Sequence, residues 1–371
     1  MMRYQGFVSP ETKFYEVPEP VLLESGEVLS GVRVAYRTWG RFTGNNAILV
    51  CHALTGNADV DNWWGSLFGA GKAFDLENDY VICSNILGSC YGTTSPISVN
   101  PATGCPYGPD FPAITIRDMV RVQALLVKGL GVDRLKMVIG GSLGGMQVLE
   151  WAVMYPDLVE AIAPMAVSGR HSAWCIGLSE AQRQAIYADP HWRGGYYTIE
   201  NPPAAGLAAA RMMAMCMYRT RASFEARFGR NLQSDKPSEN LFAMQSYLHH
   251  HGEKLVERFD ANCYITLTKA MDTHDLGRGR GNFEAVLANI KQPTLMVAID
   301  SDVLYLPEEQ YELGNLIPNA SLKILHSIHG HDAFLMDLDT VNDMLVGVRK
   351  RLLSFEREKR ESEELIRKRF F

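Results

Sequence analysis

The 371 residues carry 36 basic and 42 acidic side chains, a formal net charge of −6, with 47% hydrophobic and 21% charged residues. That is the balance of a globular chain long enough for about two domains, or for one large α/β domain with an insertion. Nucleic acid and membrane partners are not expected, because the basic residues are dispersed and no run of 18 apolar residues occurs.

The start MMRYQGFVSPETKFYEVPEP has neither a cationic leader segment nor a continuous apolar one, which predicts a cytoplasmic protein. Short β-branched runs follow at 31–39, 47–52 and 80–85, then an amphipathic stretch from Ile116 to Lys128, then a run at 135–140. This alternation predicts a mostly parallel sheet flanked by helices. Residues 86–112 are rich in Pro and Gly with no period, and a loop of that length in a compact domain is usually functional. After the apolar run 158–167 the rhythm changes to Met, Ala, Arg and aromatic residues at helical spacing, clearest over 206–228. It returns with a strand pattern at 293–300, a helix at 307–317, a strand at 321–326 and a last helix from about Ala333 to Phe355. The predicted organisation is a core of 1–168 and 291–355, a helical lid of 169–290, and a charged, solvated tail of 356–371. The seven cysteines form no C-x-x-C pair, so buried free thiols are expected, with neither a disulfide framework nor a zinc site. The run His249-His250-His251 fans out around a helix and offers no shared chelating face.

Gly140-Gly141-Ser142-Leu143-Gly144 matches G-x-S-x-G between a strand pattern and a helix pattern, the setting of a nucleophile elbow. A sharp turn there would hold Ser142 at the head of a helix, with the Leu143 N–H facing the reacting oxygen. Such a serine needs an acid and then a histidine later in the chain. Asp300 and Asp302 follow one strand, and His326, His329 and His331 follow the next. Placement in the loops beyond the strand ends favours Asp302 and His331, leaving Asp300 and His329 as surface or supporting residues. A second oxyanion donor is expected after the strand at 47–52, where the Leu54 N–H is the candidate and His52 reads as a loop-holding residue.

Together these motifs carry a family resemblance. His52-Ala53-Leu54-Thr55-Gly56, the loop Leu87 to Pro96, the elbow through Met146, Gly206-Leu207 through Ala210-Arg211 with Tyr218-Arg219, Asp272 to Asp275 with Gly277 to Gly281, Ser301-Asp302-Val303-Leu304 and Gly330-His331-Asp332 to Leu335 resemble the homoserine O-acetyltransferase family. The resemblance runs from about residue 10 to 353 and implies the α/β-hydrolase fold. It implies Ser142, Asp302 and His331 as catalytic residues, Arg211 for the substrate carboxylate, Asp332 for its amino group and Tyr218 in the pocket. It also implies acetyl-CoA and L-homoserine as substrates, no cofactor, and a homodimer formed through the lid. Ser89 and Ser95 stand where many relatives have glycine. Arg211 offers a bidentate fork to a carboxylate and Asp332 a counter-charge to an ammonium, a pair that a plain hydrolase does not need. Succinyl transfer, serine as acceptor, a lidded esterase and a catalytically silent binding module are the competing readings. Against the last stands the intact set Ser142, Asp302 and His331.

Overall fold

The computed structural model describes residues 8–233 and 241–349, so the expected tail 356–371 and the end of the expected last helix lie outside the described residues. The chain enters through β1 (Lys13–Glu16) and a small hairpin of β2 (Val21–Leu22) and β3 (Val28–Leu29). Then come β4 (Arg33–Trp39), β5 (Ala47–Cys51), α1 (Val60–Trp63), β6 (Tyr80–Ser84), α2 (Ile116–Gly129), β7 (Leu135–Gly141), α3 (Leu143–Met154) and β8 (Ile162–Met165). Eight strands form one sheet in the order β1-β4-β6-β5-β7-β8, followed by β9 (Thr294–Ile299) and β10 (Ala320–Leu325). From β6 onward the pairing is parallel, as the alternating pattern predicts, whereas β1 and β4 run antiparallel at one edge. Every residue of β5 and of β9 is buried, as in strands covered on both faces, and an apolar cluster lies on each side of the sheet.

Between β8 and β9 the described residues form helices and no strand ladder: α4 (Ala173–Tyr187), α5 (Ala204–Tyr218), α6 (Arg221–Arg227), α7 (Ala243–Arg258), α8 (Ala261–Asp272) and α9 (Phe283–Ala288). Local chemistry sets several starts. The Thr115 hydroxyl and the Asp118 carboxylate cap each other's backbone N–H at the head of α2, and the Asp260 carboxylate accepts the Cys263 N–H at 3.0 Å at the head of α8.

Two expectations change. The last helix is not continuous from Ala333: α11 (Ala333–Met336) stops at Asp337, and a second helix runs over 338–349. Asp337 leaves helical geometry at φ −91°, ψ 53°, and its carbonyl accepts the Val341 N–H, so the aspartate starts a new helix as an N-cap residue. All seven cysteines are free, but Cys105, in the Pro/Gly-rich loop, and Cys216, on the outer side of α5, are exposed rather than buried. Ser89 and Ser95 are fully buried, at 0% exposure.

Candidate active site

Ser142 stands between β7 and α3 at φ 58°, ψ −128°, a conformation that residues with a Cβ rarely adopt. Its side chain makes no capping bond to α3, so the hydroxyl is not spent on the helix that follows it. Close approach explains the flanking glycines: a Cβ at Gly144 would stand 2.1 Å from the Cys51 carbonyl oxygen. The elbow is thereby pressed against the end of β5, where the loop 52–56 begins.

Asp302, in the loop after β9, is buried and its carboxylate is fully engaged. One oxygen accepts the Leu304 and Tyr305 N–H groups at 2.8 and 3.1 Å, and the other meets His331 Nδ1 at 2.8 Å. His331 is 3% exposed and lies among the rings of Tyr218, Tyr305 and Phe334, while its Nε2 has no hydrogen-bond partner among the described residues. Burial works against a charged imidazole, yet the Asp302 carboxylate outweighs it and raises the pKa of His331 above the ordinary histidine value. Phe334 packs on the backbone just before the nucleophile, since a Cβ at Gly141 would meet its ring at 2.5 Å. The histidine turn and the elbow are therefore neighbours.

The other candidates fall elsewhere. Asp300 pairs with His326 at 2.7 Å in an exposed position, with side-chain exposures of 36% and 78%. His329 receives an Arg219 N–H at 3.2 Å and so helps to dock the histidine turn on the end of α5. His52 Nδ1 lies 2.8 Å from the Ala53 carbonyl and its Nε2 accepts the Ile86 N–H at 3.1 Å. Burial lowers its pKa to about 4, so it holds the loop as a neutral ring. In that loop the Gly56 N–H closes a turn on the Ala53 carbonyl at 2.9 Å. Leu54 is the first central residue of that turn, and Leu143 opens α3. Neither N–H donates to an acceptor among the described residues, so both donors are free.

The helices between β8 and β9 supply charge. Arg211 and Tyr218 lie two turns apart on α5, with the guanidinium carbon 5.4 Å from the tyrosine ring centroid. Gly330, at φ +67°, lets the histidine turn sit on the end of α5: a Cβ there would come within 3.2 Å of the Tyr218 carbonyl oxygen. Asp332 is half-buried and faces His331, Arg211 and Arg219; burial raises its pKa and those three charges oppose the rise. Arg211 makes no ion pair among the described residues. It lines a cavity of about 640 Å³ shared with Gly141 and Phe334. Lys254 and Arg258 of α7 line the same cavity, and among the described residues no carboxylate does.

Several supporting residues gave no sequence signal. Gln310 of α10 (Pro307–Leu316) is fully buried, accepts the Ile299 N–H at 3.1 Å and donates to the Tyr305 carbonyl at 2.7 Å, tying the acid loop to its strand. Lys254, Arg258 and Trp63 at the cavity could not be singled out either, since nothing local marks a residue that meets its partners across the fold. Arg219 was visible only as part of the Tyr218-Arg219 motif.

A family model for the alpha/beta hydrolase fold matches residues 46–337. The chain is 62% identical over 353 residues to the homoserine O-acetyltransferase of Trichormus variabilis, covering 95% of this chain and 97% of that relative. Among solved structures it is similar to homoserine O-acetyltransferase from Bacillus anthracis, with TM-score 0.83, 28% identity, and 91% and 96% of the two chains covered. It is similar as well to esterase E22, with TM-score 0.82, 29% identity, and 90% and 99% covered.

Proposed function

The chain belongs to the homoserine O-acetyltransferase family of the α/β-hydrolase fold, and from that premise we propose that it moves the acetyl group of acetyl-CoA to the hydroxyl of L-homoserine through an acyl-serine. Ser142 Oγ attacks the thioester carbonyl while His331 Nε2 takes its proton, and the N–H groups of Leu54 and Leu143 receive the oxyanion. Collapse breaks the C–S bond, and the proton on His331 passes to the departing sulfur. In the second half His331 takes the homoserine hydroxyl proton as that oxygen attacks the acyl carbon, the bond from the acyl carbon to Ser142 Oγ breaks, and the proton on His331 passes to Oγ. Asp302 fixes the imidazole tautomer throughout. No cofactor takes part, because acetyl-CoA is consumed as a substrate.

The observation that carries this reading is the charge of the cavity beside the elbow: Arg211, Lys254 and Arg258 line it and, among the described residues, no carboxylate does. That lining suits an acceptor with a carboxylate and a donor with phosphates. Asp332, next to the base, supplies the counter-charge for the acceptor's ammonium. The methionine-biosynthetic setting follows from the family; a cytoplasmic location, and a homodimer formed through the lid, where Met213 of α5 is exposed, complete the proposal.

Initial rates should give parallel double-reciprocal lines, and mass spectrometry should find an acetyl adduct on Ser142 when homoserine is omitted. Intersecting lines with no adduct would overturn the two-step scheme. Free thiol released from acetyl-CoA and succinyl-CoA, with L-homoserine or L-serine as acceptor, reads out donor and acceptor. Release that is indifferent to the acceptor would favour the lidded-esterase reading that the likeness to E22 keeps open.

Replacing Arg211 by Lys should leave the first burst of CoA within about twofold while lowering steady-state transfer by about 2–4 kcal/mol, the cost of breaking a desolvated charge pair. A point charge cannot reproduce the two parallel bonds of the fork. Rapid-mixing measurement of the burst checks this, and an equal fall in burst rate and steady-state rate refutes it.

A further inference from the structure

The guanidinium of Arg258 makes contacts that the reaction scheme leaves unused. Arg258 is the last residue of α7, yet its side chain leaves the lid and reaches two core loops. Nη1 donates to the Thr55 carbonyl at 2.7 Å and to the Tyr91 hydroxyl at 2.5 Å, and Nη2 donates to Thr55 Oγ1 at 3.3 Å. The backbone is pinned in the same place: the Cys90 thiol reaches the Arg258 carbonyl at 3.7 Å, and the ring of Phe259 meets that of Tyr91 edge-on at 5.7 Å. Arg258 has no carboxylate partner among the described residues, so these three bonds all go to neutral acceptors and its charge still faces the cavity.

Thr55 is the residue after Leu54, in the turn closed by the Gly56 N–H on the Ala53 carbonyl. From the core side that turn is held by His52, through the Ala53 carbonyl and the Ile86 N–H. From the other side it is held by Arg258 alone among the described side chains. The Leu54 N–H shares its peptide plane with the Ala53 carbonyl, which His52 and the Gly56 N–H hold, and Arg258 anchors the other end of the same turn at the Thr55 carbonyl, so that plane tilts only when one of these anchors gives. We propose that Arg258 is a positioning residue for acyl transfer: the lid, through its fork on Thr55, aims the Leu54 N–H at the oxyanion.

This proposal rests on the acyl-serine reading, and its test separates the two. The full chain with Arg258→Ala and with Arg258→Lys is compared with the unchanged protein. Three quantities are read: the rate at which a fluorophosphonate labels Ser142, the kcat and KM for homoserine, and the thermal midpoint. The phosphoryl oxygen of the reagent occupies the oxyanion site, so labelling reports that site without acetyl-CoA. In Arg258→Ala both the labelling rate and kcat should fall on the order of 10²-fold, the size of effect seen when a reacting group is displaced by about an ångström. The KM for homoserine should stay within twofold, because the carboxylate fork is Arg211. Lysine keeps the charge but cannot hold the carbonyl and the hydroxyls at once, so Arg258→Lys should recover less than tenfold. If Arg258→Ala does not fold, Arg258→Lys carries the same comparison. A labelling rate that is unchanged in the folded variants, or that falls only in step with the thermal midpoint, overturns the positioning role. An unchanged protein that is labelled rapidly but forms no O-acetylhomoserine would instead overturn the acyl-transfer reading and leave the role of Arg258 standing.

Discussion

Ser142→Ala should release no burst of CoA and should lower steady-state transfer on the order of 10⁵-fold or more, because an enzyme with a covalent intermediate loses the whole route with its nucleophile. The variant should fold as the parent does. Alanine keeps the Cβ that makes φ 58° costly, so the backbone strain is the same in both, and the Ser142 side chain caps nothing that would be left unpaired. Nor does the change create a new orphan, since His331 Nε2 has no partner even with the serine in place. The measurements are rapid-mixing release of free thiol and the thermal midpoint. A burst of one equivalent from the folded variant would place the acyl group on another residue. A collapse of the thermal midpoint would mean that the hydroxyl supports the elbow, against the geometry.

What could be read in advance follows the range of each interaction. The elbow is a local event: strand, strained serine, helix and three close-packed glycines fall within five consecutive residues, so Ser142 and Leu143 were legible without any fold. The same holds for α2, whose cap is written in Thr115 and Asp118. Asp302 and His331 needed one further idea, that functional groups gather beyond the carboxyl ends of parallel strands. β1 was not legible, since four mostly exposed residues show no alternation and owe their strand geometry to pairing with β4. The break at Asp337 also escaped, because the apolar spacing continues across it and only the capping aspartate interrupts the backbone. Arg258 lies 203 residues from Thr55, and Gln310 acts through buried bonds to the end of β9 and to the loop that follows it. Such residues look like ordinary helix-surface polar groups until the loops they hold are in place. The exposed thiols Cys105 and Cys216 are the reverse case, a residue type that is usually buried standing where the local backbone leaves it uncovered.

The two aspartates after β9 should separate sharply on mutation. Asp302→Asn should keep the fold and lower the rate on the order of 10³- to 10⁴-fold, whereas Asp300→Asn should lose about tenfold or less. The carboxylate of Asp302 accepts from His331 Nδ1, which leaves Nε2 bare to take a proton; an amide in its place can donate to Nδ1 and stabilise the tautomer whose proton already sits on Nε2. The two backbone N–H groups would still find an oxygen on the substituted side chain, and Gln310 would keep its bond to the Tyr305 carbonyl, so the loop should survive. The pH profile supplies a second readout. As the base, His331 must be neutral, and burial alone would keep it so, but Asp302 raises its pKa, placing the acid limb of the rate above the ordinary histidine range. Removing that carboxylate takes away both its charge and its hydrogen bond and leaves burial, which lowers the pKa and outweighs the smaller opposing pull of Asp332, so the limb should move to lower pH in Asp302→Asn. Asp300 faces His326 at an exposed edge, and its loss should leave the limb where it is. Should Asp300→Asn prove to be the folded, inactive variant with the displaced limb, while Asp302→Asn retains most of the rate, the orienting role passes to Asp300 and the 2.8 Å contact to His331 is a structural one.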